Sequence, residues 1–262
     1  MIKNFDTDTK LLISKAQDCA DRAIKTGTPC FLPFLSDAEQ FFIERNLYYP
    51  RDDEKLIFFG GYEDCDYKCA GFFPSFMFYD ESYDPYSDFP ISVILAKGSG
   101  FRKLSHRDFL GSLMALGIKR EVLGDIVVSD DCHSAYIFCL AKTAEYLLNY
   151  FDTAANDRIV CSECNLSDAV IPPKKFSEIS DTVSSPRLDA LICACLNISR
   201  DSAEKMISSG SVSLNHTICT DKSKICTEGA LVSIRHHGRF LLHKIGDKNR
   251  RDRLRIVLHR FL

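Results

Sequence analysis

Apolar residues recur at helical spacing over residues 4–26, where Leu11, Leu12, Ile13, Ala16, Ala20 and Ala23 interleave with charges. The pattern stops at Gly27, ahead of Thr28-Pro29. Asp37 is placed to cap a second helix over 38–46. Residues 55–62 form an apolar run closing on Gly60-Gly61, the pattern of a buried strand, and Phe72–Tyr79 predicts an aromatic one. The acidic, proline-punctuated stretch 80–90 predicts a loop. Beyond it the pattern gives a strand at Ile91–Ala96, a helix over 106–116 capped by Ser105 and stopped by Gly117, and strands at Asp125–Ser129 and Ala135–Leu140. A helix follows at Ala141–Tyr150, with one strand somewhere in 157–171. The polar segment from Pro172 through Ser185 predicts a domain boundary near residue 180.

After that boundary the period changes again. Pro186 suits a first helical turn, and Leu188, Leu191, Ile192 and Cys195 make one apolar stripe. Ser199 caps a second short helix with Ala203, Met206 and Ile207 inward, and Gly210 ends it. Val212 and Leu214 alternate with serines as in a half-buried strand, Asn215-His216 makes a turn, and Ile218, Ile225 and Leu231–Ile234 supply further strands. The run Lys248–Arg255 leads into Ile256-Val257-Leu258 and predicts an edge strand with a cationic outer face. The expected class is α+β in three modules: 1–78, an N-terminal α/β module; 79–175, a middle α/β module; and 182–262, two helices with a small sheet and a basic extension.

Composition narrows the function. No apolar run approaches the roughly 18 residues that span a bilayer, so no membrane partner is expected. The start of the chain shows no secretory pattern, and a cytosolic protein is expected. The net charge of −3 conceals an asymmetry: residues 184–262 hold 14 Lys+Arg against 7 Asp+Glu, and 1–183 hold 19 against 29. A basic terminal module is the footprint of a polyanion. Twelve cysteines in a reducing compartment are expected as thiols. Cys161-x-x-Cys164 has half a zinc spacing, with Cys65/Cys69 as its distant partner pair; no metal or other cofactor is expected. The aromatic residues Phe72, Phe73, Phe76, Phe78 and Tyr79 read as core, with base stacking as the alternative.

The second helix of the terminal module offers phosphate chemistry. Ser199 leaves helical N–H groups at a positive dipole end, and Arg200 adds a planar fork. Arg187 starts the first helix nearby, Lys205 follows Arg200 by about a turn, and Asn215 and His216 present hydrogen-bonding groups. In the middle module, His106, Arg107 and Asp108 invite an acid–base reading, but consecutive helical residues point about 100° apart and do not converge on one atom. His106 and Arg107 at the capped helix start, with Lys119 and Arg120 beyond its end, could meet a phosphate; the alternative is a capped helix start with solvated cations. No nucleophile elbow, Walker loop, dinucleotide loop or His-Glu-x-x-His is present.

Arg187-Leu188-Asp189, Ser199-Arg200, Ala203, Ile207, Gly210-x-Val212 and Asn215 together resemble the S4 RNA-binding domain found in pseudouridine synthases, tyrosyl-tRNA synthetases and heat-shock ribosome-binding proteins. The resemblance implies RNA contacts at Arg187, Ser199, Arg200, Lys205 and Asn215. His216 stands where that family usually has Gly, and Gly229-Ala230 where it usually has Gly-Asp. Further motifs resemble the YlmH family: Gly60-Gly61-Tyr62-Glu63, His106–Gly111, Leu116–Arg120, Gly124-Asp125-Ile126 and Arg235-x-x-Gly238-Arg239-Phe240. Asp66-Tyr67 replaces a Glu-Arg frequent there. This resemblance makes the middle module a YlmH-type RNA-binding domain, adds His216, Arg235 and Arg239 to the expected RNA surface, and implies a second RNA surface at His106, Arg107, Lys119 and Arg120. It implies a non-catalytic, monomeric RNA-binding protein that meets rRNA and tRNA on the large ribosomal subunit in the rescue or quality control of stalled translation. It also implies a link to cell-division genes. An RNA-modifying enzyme using the S4-like module as its handle, or a division-associated scaffold, is the alternative.

Overall fold

The computed structural model describes residues 7–47, 54–173 and 176–261. The chain divides into two compact units, Met1–Pro172 and Pro173–Leu262.

The first unit begins with helix α1 (Thr7–Thr26), strand β1 (Cys30–Leu35), helix α2 (Asp37–Asn46) and strands β2 (Glu54–Phe59) and β3 (Lys68–Pro74). The start of the predicted first helix, residues 4–6, lies outside the described residues. Ala16, Cys19, Ala20 and Ala23 are the buried stripe of α1, whereas Leu11 is exposed; four small side chains let the helix lie close on the strands. Ser36, not Asp37, caps α2. Its backbone is extended, and Glu39 returns a hydrogen bond to its N–H at 2.7 Å, closing a capping box. The three strands pair antiparallel in the order β1-β3-β2.

Strand β1 was not foreseen, because Pro33 interrupts its sequence. Pro33 is tolerated where the chain is an edge strand and the pairing shifts register between Leu32 and Phe34. The predicted strand Phe72–Tyr79 ends instead at Pro74, and Ser75–Tyr79 coil into a 3₁₀ turn. Phe72 and Phe73 are fully buried, one on each face of β3, while Phe76 and Tyr79 are exposed.

The second sheet has the order β5-β6-β4-β9 and comprises β4 (Ile91–Lys97), β5 (Leu123–Val128), β6 (Ser134–Leu140) and β9 (Val160–Cys164), all antiparallel. Helices α3 (His106–Ala115) and α4 (Ala141–Tyr150) cover one face through Phe109, Leu113 and Leu147, and a two-residue hairpin, β7 (Thr153–Ala154) with β8 (Asp157–Arg158), follows α4. Its other face meets the first sheet around Phe34, Phe73, Phe89, Val93 and Phe138. The result is four layers, α/β/β/α, with one aromatic seam between the sheets. Each ring buried there contributes roughly 2 kcal/mol. Gly61, with φ +106°, lies where an added Cβ would sit 2.5 Å from the Phe138 ring; the Gly60-Gly61 turn is thus glycine by space as well as by backbone. Cys161 faces the helix-covered core and Cys164 the opposite one, so the two thiols of the half zinc spacing diverge across β9. Among the described residues no three His, Cys, Asp or Glu side chains gather as a metal site.

The second unit opens with β10 (Phe176–Val183), which occupies the segment read as a polar connection near residue 180. Helices α5 (Leu188–Leu196) and α6 (Arg200–Ser208) follow. Then come β11 (Val212–Leu214), β12 (Thr217–Ile218), β13 (Leu231–Ile234), β14 (Gly238–Lys248) and β15 (Leu254–Phe261). The sheet order is β10-β15-β14-β13-β11-β12. Strand β15, expected at an edge, is interior, paired with both β10 and β14. The cationic residues 249–253 form the turn before it. Ile225 makes only an isolated bridge with Arg187. Pro186 lies outside α5, whose cap position is Arg187. The core joins Leu188, Leu191, Ile192, Ala203 and Ile207 to Val212, Val232, Phe240, Ile256 and Leu258.

Candidate nucleic-acid interface

The cations of the second unit are arranged around one buried acid. Asp189, in the first turn of α5, is fully buried. Its Oδ1 accepts from Arg187 Nε at 3.1 Å, and its Oδ2 accepts from Arg187 Nη2 at 2.9 Å and Arg200 Nε at 3.2 Å. The Ala190 N–H adds a further bond at 2.8 Å. Burial pushes the Asp189 carboxyl up, but the hydrogen bonds from Arg187 and Arg200 outweigh it and hold the group below the usual carboxylate range. Two guanidinium groups thus converge on one carboxylate, leaving a net positive charge.

The arginines are not used up by this contact. Arg200 donates through Nε and keeps its side chain 59% exposed, whereas Arg187 donates through two nitrogens and is 30% exposed. Both forks are oriented at their inner edge and open at their outer one, which is the geometry for bidentate phosphate contact. Ser199 Oγ caps α6 through Ser202 N–H at 3.2 Å. Arg200, as the first residue of that helix, sits at its positive dipole end. Arg200 also lines a depression of about 270 Å³ with Arg253, Ala190, Cys193 and the acidic Asp181.

The remaining expected residues fall elsewhere. Lys205 is exposed on α6, and its neighbour Glu204 pairs with Lys222 at 2.6 Å. Asn215 and His216 both have positive φ, 46° and 64°, as a two-residue type I′ hairpin turn requires. Asn215 Oδ1 accepts from Leu231 N–H at 2.9 Å, so this side chain locks the turn. Arg235 and Arg239 line a separate shallow groove of about 400 Å³ with Gly210, Ser213, Ile218 and Ser233, and Arg239 lies over the Phe261 ring.

In the first unit, Ser105 and Asp108 form the capping box of α3, with Asp108 accepting from Ser105 N–H at 2.9 Å, and His106 and Arg107 are exposed in that first turn. His106 titrates below the usual imidazole range, because partial desolvation and the Arg120 cation oppose its charged form more than Asp125 favours it. Arg120 itself faces inward. Its guanidinium lies 3.7 Å over the Tyr67 ring and donates to the carbonyls of Leu123 and Gly124. Asp125 receives the Tyr62 hydroxyl and the N–H groups of Asp66 and Tyr67, at 2.9 and 3.1 Å for the last two. This joint ties the Gly60-Gly61 hairpin to β5. Lys119 and Arg120 line a depression that also holds Glu39 and Glu121, a poor setting for a phosphate. Sequence reasoning missed the loop 98–104, which carries Phe101 almost wholly exposed between cations; burial alone reveals it.

Comparison with known proteins places the chain in a family. Residues 85–168 match the family model described as "Putative RNA-binding domain in YlmH", and residues 186–232 match the S4 domain. The chain is 33% identical over 209 residues, 79% of its own length and 79% of the relative's, to the ribosome-associated protein quality control protein P2 of Bacillus subtilis strain 168. A solved structure, the cell division protein ylmH from Streptococcus pneumoniae, shares the fold with a TM-score of 0.50 at 17% identity, over 65% of this chain and 99% of that one.

Proposed function

Because the chain belongs to the YlmH family, we propose that it is a non-catalytic protein that binds rRNA and tRNA on the large ribosomal subunit during rescue or quality control of stalled translation. The observation that carries the reading is the pair of arginines held on Asp189 beside the N-terminus of α6. Charge and helix dipole there favour phosphate, and a fixed fork recognises backbone shape without reading bases. The name of the Bacillus relative directs the reading to the ribosome.

Several thiols fit a structural role. Burial pushes Cys69, Cys139 and Cys195 up to about 12 and Cys161 and Cys226 up to about 11, the direction of unreactive structural cysteines. Monomeric action in the cytosol belongs to the same reading.

The test is co-sedimentation with separated ribosomal subunits at low and moderate salt. Removing the arginines alone would leave Asp189 buried and unpaired, which confounds binding with folding. The informative variant therefore replaces the whole cluster, Arg187→Met/Asp189→Leu/Arg200→Met, whose apolar side chains fill the same space. The wild type is expected with the large subunit, and the variant, with an unchanged melting temperature, at the top of the gradient. Equal co-sedimentation of both would remove the cluster from the interface.

A further inference from the structure

The loop between β4 and α3 reads Gly98-Ser99-Gly100-Phe101-Arg102-Lys103-Leu104. Phe101 at its tip is 98% exposed. An apolar ring so completely in water is ordinarily found on loose chain, yet this loop is tied at every turn. Gly98 N–H donates to the His133 carbonyl at 2.8 Å and Leu104 N–H to the Cys132 carbonyl at 2.7 Å. Asp157, 8% exposed, accepts from both the N–H and the hydroxyl of Ser99, the first at 3.0 Å. Ser99 Oγ in turn accepts the Phe101 N–H at 3.3 Å, and the His133 ring bonds the Arg102 carbonyl at 3.0 Å. Leu104 closes the loop by entering the core, 1% exposed. Gly98 has no room for a side chain: an added Cβ would lie 2.8 Å from Asp157 Oδ2.

The ring's surroundings are cationic. Lys97, Arg102, Lys103, Arg107 and Arg158 are all exposed around this loop and its flanking elements. The nearby acids are already engaged. Asp157 accepts from Ser99, Asp108 from Ser105, and Asp131 from the Ser129 hydroxyl and the His133 N–H. Residues 98–107 contain no carboxylate at all.

We propose that Phe101 is a base-stacking residue: the loop 98–104 presents its ring to an unpaired RNA base while Arg102, Lys103 and Arg107 meet the phosphates on either side. The inference rests on the RNA-binding reading above and assigns it a second surface of a different kind. A base has an aromatic face and carries a phosphate at each side, which is the pattern of ring and cations here. A held backbone leaves only the ring's own rotamers to be ordered on binding. A membrane is a poorer match, because one ring between Gly100 and Arg102 is neither an amphipathic helix nor an extended apolar patch.

The test uses the full chain and two RNA probes: a hairpin with 2-aminopurine in its loop, and a duplex of the same length. Phe101→Ala, Phe101→Leu and Phe101→Tyr are compared with the wild type; full exposure of the ring keeps all of them folded. The wild type and Phe101→Tyr are expected to quench the probe base and bind the hairpin equally, and Phe101→Ala and Phe101→Leu to bind it about tenfold more weakly. Duplex affinity should not change. Hairpin binding indifferent to Phe101→Ala overturns the proposal and leaves the family reading standing. Rescue by leucine, or a loss confined to anionic vesicles, overturns it in favour of an apolar contact. A wild type that binds neither RNA overturns both readings.

Discussion

Two regions of this molecule solve the same problem in opposite ways. In the second unit a buried acid holds the cations themselves: Asp189 takes one edge of Arg187 and of Arg200 and leaves the outer edges pointing away. In the loop 98–104 a buried acid holds the backbone: Asp157 fixes Ser99, and Arg102, Lys103 and Arg107 stand exposed around Phe101. The first arrangement gives fixed forks at the cost of some charge. The second gives a fixed backbone beneath an exposed ring and exposed cations. A carboxylate inside a basic surface is therefore not by itself a counter-argument to polyanion binding; what matters is which atoms it engages.

The comparison breaks most severely at Asp189. Asp189→Ala is expected to destabilise the second unit by about 2 kcal/mol, since Arg187, Arg200 and the Ala190 N–H lose the buried acceptor they share; chemical denaturation of the full chain, followed by probes in each unit, should show the loss there and not in the first unit. Asp157→Asn should act locally. Exchange of the Ser99 and Phe101 amides is expected to quicken by about tenfold, because the anchor of the loop is weakened, while binding through the Asp189 cluster is kept.

Acid should weaken both anchors. The folded-state carboxyls of Asp189 and Asp157 lie below their ordinary range, held there by Arg187 and Arg200 against the burial of the first and by Ser99 for the second. A depressed carboxyl contributes stability that is present above the unfolded pKa and is lost as pH falls through the folded one. Urea unfolding followed downward in pH should show this decline, and Asp189→Asn should flatten it for the second unit. The smallest effect is on salt dependence. Each cation removed among Arg102, Lys103 and Arg107 is expected to reduce the slope of log affinity against log salt for single-stranded RNA by about 0.7.

Much of the fold was legible where one period runs unbroken. The helix at Ala141–Tyr150 and the strand Leu231–Ile234 have the bounds their patterns predict, and the cap at Ser105 and the left-handed stop at Gly210 are where those residue types belong. The failures have physical causes. Pro33 hid β1, since a proline in a strand is allowed only by a neighbourless edge that the sequence does not show. Strand β15 lies inside its sheet because β10 arrives from far upstream to cover it. The candidate cations divided for the same reason. Arg200 and Arg187 were legible as candidate RNA contacts from the S4-like pattern, but their shared acid was read only as part of a motif. Arg120 was indistinguishable from Arg107 in sequence; Tyr67, brought in from another strand pair, and the carbonyls of Leu123 and Gly124 turn it inward. Phe101 gave no signal, because a single aromatic in a short basic loop reads equally as core or surface.

The most direct test of the central claim, two RNA-contacting surfaces on one non-catalytic chain, is photo-crosslinking of the full chain to purified large ribosomal subunits, with identification of the crosslinked peptides. Crosslinks to RNA from peptides containing Arg200 and from peptides containing Phe101 are the predicted result. Crosslinks confined to ribosomal proteins, or to RNA from peptides remote from both residues, would contradict it.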